Sequence, residues 1–144
     1  MHRTTRWIAA AAVVVGAALP IAACGQSEAT TAKAPEPAKV EPIGDTGVKR
    51  ITLTDKAVER LAIETFPVTE HDGRLVMPHA ALLYLPDGTT FAYTNPEGHS
   101  YVRAPVTVES IRGEQAVLTS GPAAGTAVVT AGGAELWGAE FGIK

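Results

Sequence analysis

Apolar and polar positions change rhythm several times along this chain. Between Val48 and Leu53 they alternate weakly, as in a short strand. Thr54 then has the character of a helix N-cap, and Asp55 follows in the first turn, where a negative charge is favoured. Ala57, Val58, Leu61 and Ala62 fall on one helical face, which predicts about two turns ending near Ile63. So short a helix is marginal alone and has to pack on something.

After Arg74 the period shortens. Leu75-Val76-Met77 and the run from Ala81 to Leu85 are short apolar stretches, and Pro86-Asp87-Gly88 signals a turn. Phe91 and Tyr93 share one face of a strand that Asn95-Pro96-Glu97-Gly98 should close. The clearest alternation runs from Tyr101 to Glu109, with Val102, Ala104, Val106 and Val108 inward and Arg103, Thr107 and Glu109 outward. Pro105 cannot donate a ladder hydrogen bond, so this strand is expected at an edge or with a bulge. Arg112-Gly113-Glu114 marks a turn, and Ala116-Val117-Leu118 and Ala127-Val128-Val129 are two further strands. The expected fold is mainly β: a small roll or barrel of short antiparallel strands with one short N-terminal helix.

The first 47 residues read differently. Arg3 and Arg6 precede a 15-residue uncharged stretch, Trp7 to Ile21, too short for a spanning helix of about 20 residues but suited to a signal-peptide core. From Gln26 to Gly47, Ala, Thr, Glu, Lys and Pro dominate and only Val40 and Ile43 are strongly apolar. Such a segment buries too little surface to offset its ordering entropy, and 22 residues of flexible coil span roughly 25 Å. The expected domains are a leader at 1–23, a linker at 24–47 and a folded β domain at 48–144.

Composition narrows the function. Of 144 residues, 46% are hydrophobic and only 6% aromatic, so Val, Leu, Ile and Ala must build the core. A net charge of −3 argues against a nucleic-acid-binding surface. The single cysteine, Cys24, excludes an intrachain disulfide and a cysteine-rich zinc site. No Gly-x-Ser-x-Gly elbow and no P-loop is present, and Glu135 and Glu140 read as a solvated tail, so no enzyme activity and no cofactor are expected. Met77 and His79, two apart, would share a face on a strand and are weak candidates for a soft metal such as Cu(I). His71 and His99 sit in turn sequences with plausible solvent positions. Trp137 and Phe141, four apart, would form one helical face, packed in a core or offered to a partner.

Two resemblances add to this reading. Ile21-Ala22-Ala23-Cys24-Gly25 resembles a bacterial lipobox, an aliphatic and two small residues before the lipid-accepting Cys. It implies cleavage before Cys24, acylation of its thiol and anchoring at the extracytoplasmic face of the cell membrane by two or more acyl chains. A plain signal peptide cut nearby and an uncleaved anchor are the competing readings. The second resemblance runs from Val76-Met77-Pro78-His79-Ala80-Ala81-Leu82 through Asp87-Gly88 and the Phe91/Tyr93 strand. It continues in Arg103-Ala104-Pro105-Val106-Thr107-Val108 and Gln115 to Pro122, and ends in the run from Ala124 to Gly132. In this order the chain is similar to the C-terminal, membrane-proximal part of HlyD-like periplasmic adaptors (membrane fusion proteins) of RND-type efflux systems. Ile51 to Thr65 is similar to the segment that often opens their folded part.

In a complete adaptor a helical hairpin and a lipoyl-like domain lie between those two segments, whereas here Thr65 and Leu75 are ten residues apart. The usual Leu after Ser-Gly is Pro122. The resemblance implies an adaptor-like accessory lipoprotein that docks on an RND-type or similar export permease, with Arg103, Trp137 and Phe141 as candidate contacts. The alternative is a stand-alone metal- or small-ligand-binding lipoprotein.

Overall fold

A computed structural model describes residues 36–143; the expected leader, Cys24 and the first part of the expected linker lie outside the described residues. The strands are β1 (Ala38–Pro42), β2 (Lys49–Leu53), β3 (Glu64–Pro67), β4 (Thr69–His71), β5 (Arg74–Pro78), β6 (Leu83–Tyr84), β7 (Thr90–Glu97), β8 (Ser100–Arg112), β9 (Gln115–Ser120) and β10 (Ala127–Ala131). Helix α1 (Asp55–Leu61) follows β2, a 3-10 turn occupies His79–Ala81, and α2 (Gly133–Phe141) ends the fold. The structure is mainly β: a nearly closed antiparallel barrel-like sheet with two helices rather than one.

The sheet runs β3-β10-β7-β8-β9-β5-β4. It closes on itself because β3 and β4 are one bent segment. Val68 is the corner, its N–H donating to the Thr126 carbonyl and its own carbonyl accepting from Gly125 N–H, both at 2.8 Å. On one side of the corner β3 pairs with β10; on the other, β4 pairs with β5. The β4–β5 hairpin is closed by Asp72 and Gly73, both at positive φ, as a tight turn between twisted strands requires.

β8 organises the rest. It pairs with β7 from Ser100 to Val106, with β2 from Ser100 to Val102, and with β9 from Thr107 to Arg112. The expected bulge is present, as register shifts at Thr107/Val108 and Val108/Ser110. Pro105 falls in the gap between the last β2 pair and the first β9 pair, so its missing N–H interrupts neither of those two ladders.

Two cores lie on opposite faces of this sheet. Ala92, Val106, Ala116, Leu118 and Val128 fill the barrel interior. Phe91, Tyr93, Tyr101 and Val129 point the other way, toward β1, β2, α1 and α2. The strand period of two does the sorting: Ala92 lies between Phe91 and Tyr93, and Val128 precedes Val129.

Several expectations are corrected. Paired structure begins earlier than expected, inside the stretch read as linker, because Ala38–Pro42 pairs in register with β2 and turns Ala38 and Val40 onto the outer core. Two small apolar residues suffice there because β2 supplies the backbone partners. The strand through Phe91 and Tyr93 does not turn at Asn95 but continues through a bulge to Glu97, with Asn95 Nδ2 donating to the carbonyls of Gly98 (2.7 Å) and Ser100 (2.9 Å). Thr54 caps α1 as expected, accepting from Ala57 N–H at 3.3 Å, and Ala62 ends it in the left-handed region.

Candidate functional site

The site is built where α2 crosses the outer face of β7 and β8. Gly132 starts the helix at φ 83°, and a Cβ there would lie 2.2 Å from Ile63 Cδ1, so both backbone and space call for glycine. Four-residue spacing then puts Leu136 and Glu140 on one helical face, 0% and 1% exposed. Leu136 joins the outer core. Glu140 is therefore not part of a solvated tail; its carboxylate lies over the sheet, whereas Glu135 stays exposed.

Beneath Glu140 are Tyr93 and Arg103, directly opposite each other in the β7–β8 ladder. The Tyr93 hydroxyl donates to Glu140 Oε2 at 2.5 Å. Arg103 Nη2 lies 3.3 Å from Oε1, an ion pair by distance that is not aimed as a hydrogen bond. Arg103 points out of the barrel, as its alternation predicts, but α2 covers it and its side chain is 16% exposed. A buried carboxylate needs a partner of this kind, since an isolated charge is strongly disfavoured away from water. Burial pushes the Tyr93 hydroxyl far above its ordinary range, and the hydrogen bond and negative charge of Glu140 push the same way while Arg103 opposes.

A cationic and aromatic rim surrounds this triad. Lys49 Nζ donates to the Glu140 backbone carbonyl at 2.7 Å, close to the negative end of the helix dipole. The Arg103 guanidinium lies 5.6 Å from the Phe91 ring centroid and 5.4 Å from that of Phe141, within cation–π range. Phe141 also packs edge-on against Trp137, centroids 5.9 Å apart. The three residues expected to meet a partner are thus gathered in one place, with different exposures. Trp137 is half-buried and Arg103 mostly covered, while Phe141 is 47% exposed and the neighbouring Ile143 62%. Glu140 and Tyr93 were missed; the signal was Leu136, whose burial one helical turn earlier puts Glu140 on the same face.

The metal candidates lie elsewhere. Met77 is inside the barrel, 1% exposed. Pro78 ends β5, and His79 opens the 3-10 turn, so the shared-face rule of a strand stops between them. His71 is the exposed last residue of β4. His99 Nδ1 lies 3.1 Å from Asp55 Oδ1. Among the described residues, no three His, Cys, Asp or Glu side chains gather as a metal-holding group, and no helix is long and apolar enough to cross a membrane.

Chemically, the triad clamps. Glu140 meets Tyr93 and Arg103 instead of solvent, and Tyr93 is held in its protonated form. The arrangement fixes the C-terminal end of α2 on the sheet and presents the Phe141 edge on a rigid base. No family model matches the chain, and neither a curated protein nor a solved structure matches it.

Proposed function

We propose that this chain is an adaptor-like accessory lipoprotein of an export transporter, anchored at the extracytoplasmic face of the cell membrane through Cys24 and acting by docking on the permease. One observation carries the reading. The two segments that resemble the adaptor family fold onto each other, β2 on β8 and β3 on β10. The Asp72–Gly73 turn closes the short gap where a complete adaptor has its hairpin and lipoyl-like domain. The residues that carry the resemblance thus lie in one continuous body, which supports the reading. Phe141 and Ile143 are the docking edge, and Arg103 and Trp137 position it. The stem from Cys24 to Ala38 is 14 residues, a reach of at most about 50 Å.

The test is in-cell crosslinking of the C-terminally tagged full chain, followed by mass spectrometry. Capture of an RND-type or similar export permease, lost on Phe141→Ala, supports the reading. Recovery of the protein alone, or with cell-wall material only, refutes it.

A further inference from the structure

A second feature lies away from the clamp, where the outer core opens to solvent between α1, β1 and the outer side of α2. This cleft has a volume of about 630 Å³, within the range of roughly 300–1,000 Å³ common for small-molecule sites. Its apolar walls come from Leu53, Leu61 and Leu136 together with Ala38, Ala57 and Ala139. Apolar side chains thus predominate in its lining, which suits the hydrocarbon part of an amphiphile.

The polar groups stand at its rim. Lys56 and Arg60, one turn apart on α1, line the same wall and are exposed. Neither has an ion-pair partner among the described residues. Glu135 lines the cleft from the first turn of α2 and also lacks one. The rim thus carries two cations against one carboxylate, a net positive charge above an apolar cleft.

We propose that this cleft binds a long-chain fatty acid, with the carboxylate held by Lys56 and Arg60 and the alkyl chain lying along Pro37, Ala38, Leu61 and Ala139, above the buried Leu53, Ala57 and Leu136. Charge complementarity fixes the headgroup, since a neutral amphiphile would leave both cations unanswered. The binding needs neither the exporter nor the Cys24 anchor, so it stands or falls separately from the docking role.

The experiment uses the full chain in nanodiscs of neutral phosphatidylcholine, with two photoreactive probes: a diazirine-bearing palmitate and the corresponding hexadecanol. Labelled peptides are mapped by mass spectrometry. The expected result is palmitate labelling confined to peptides spanning residues 37–38, 53–61 and 135–139, at least tenfold above the alcohol. Lys56→Glu together with Arg60→Glu changes only exposed side chains; it should lower palmitate labelling at least tenfold while the thermal midpoint moves by only a few degrees, and Lys56→Gln with Arg60→Gln, which adds no like charge to α1, should also lower labelling. Equal labelling by the two probes would overturn the proposal, as would labelling unaffected by the charge reversal or located elsewhere. Absence of labelling by either probe, because residues 1–35 or a second copy fills the cleft, would overturn it as well.

Discussion

Removing the Glu140 carboxylate should be the most damaging single change outside the two cores. Glu140→Leu leaves the Arg103 guanidinium largely buried without its counter-charge and the Tyr93 hydroxyl without its acceptor. Losing one member of a buried pair costs about 3–5 kcal/mol. A domain of this size loses about 4–8 °C of melting temperature per kcal/mol, so the midpoint should fall by at least about 12 °C. Arg103→Met alone should cost a similar amount, because Glu140 is then the orphan. The double variant should be far milder than the sum, near neutral if the two apolar side chains pack, because no charge is left stranded. The assay is urea unfolding of the four proteins as a double-mutant cycle, with m-values compared to check two-state behaviour. Coupling of several kcal/mol is expected. Additive losses, or a Glu140→Leu cost below about 1 kcal/mol, would show that the ion pair does not clamp α2.

Three further outcomes follow from other contacts. The folded state holds the Tyr93 hydroxyl well above its ordinary value near 10, so this group's contribution to stability is present below that pH and is lost as pH rises beyond it. Alkaline unfolding curves should therefore steepen above pH 10, and Tyr93→Phe should flatten them, leaving the smaller upward shift of Tyr101 behind. Gly132→Ala should cost about 1–3 kcal/mol through left-handed strain and the close approach to Ile63 Cδ1, and Ile63→Ala in the same chain should recover the steric part, as read by thermal melts. Phe141→Ala should cost no more than about 1 kcal/mol, since the ring is half in solvent, while abolishing permease capture; loss of fold instead would make Phe141 a packing residue.

Much of the fold was written in short-range pattern. The alternation from Tyr101 to Glu109 gave β8, with Val106 in the barrel core and Val108 packed against it while Val102 and Ala104 are only half-buried, and Pro105 foretold a bulge that lies just beyond it, at Thr107 to Ser110. Thr54, with its apolar quartet, gave α1. The β3–β4 segment was not legible, because every residue of both strands is exposed and only Val68 between them is buried; its order comes from backbone pairing with β10 and β5, which leaves no hydrophobic period. β1 was hidden for a different reason: Ala38 and Val40 do alternate inward, but they are only half-buried and sit among Lys, Glu and Pro. At the site, alternation assigned Arg103 to the outer face correctly, but it carries no information about what covers that face. Covering requires α2 to fold back over β7 and β8, a contact across more than 30 residues that also turns Glu140 from an apparent surface residue into a buried one.

The way β3 meets β10 has a consequence in time. Residues 64–67 wait for residues 127–131, and β2 waits for β8, so the decisive pairings are distant along the chain. Closing such long loops is entropically slow, and sheets dominated by them fold in milliseconds to seconds. Glu140 arrives later still, and until it does the outer face keeps an unanswered guanidinium at Arg103. A chain emerging N-terminus first therefore cannot complete its barrel before residues 127–140 have appeared. Its sheet stays open for most of its synthesis, the state that the export route proposed above requires.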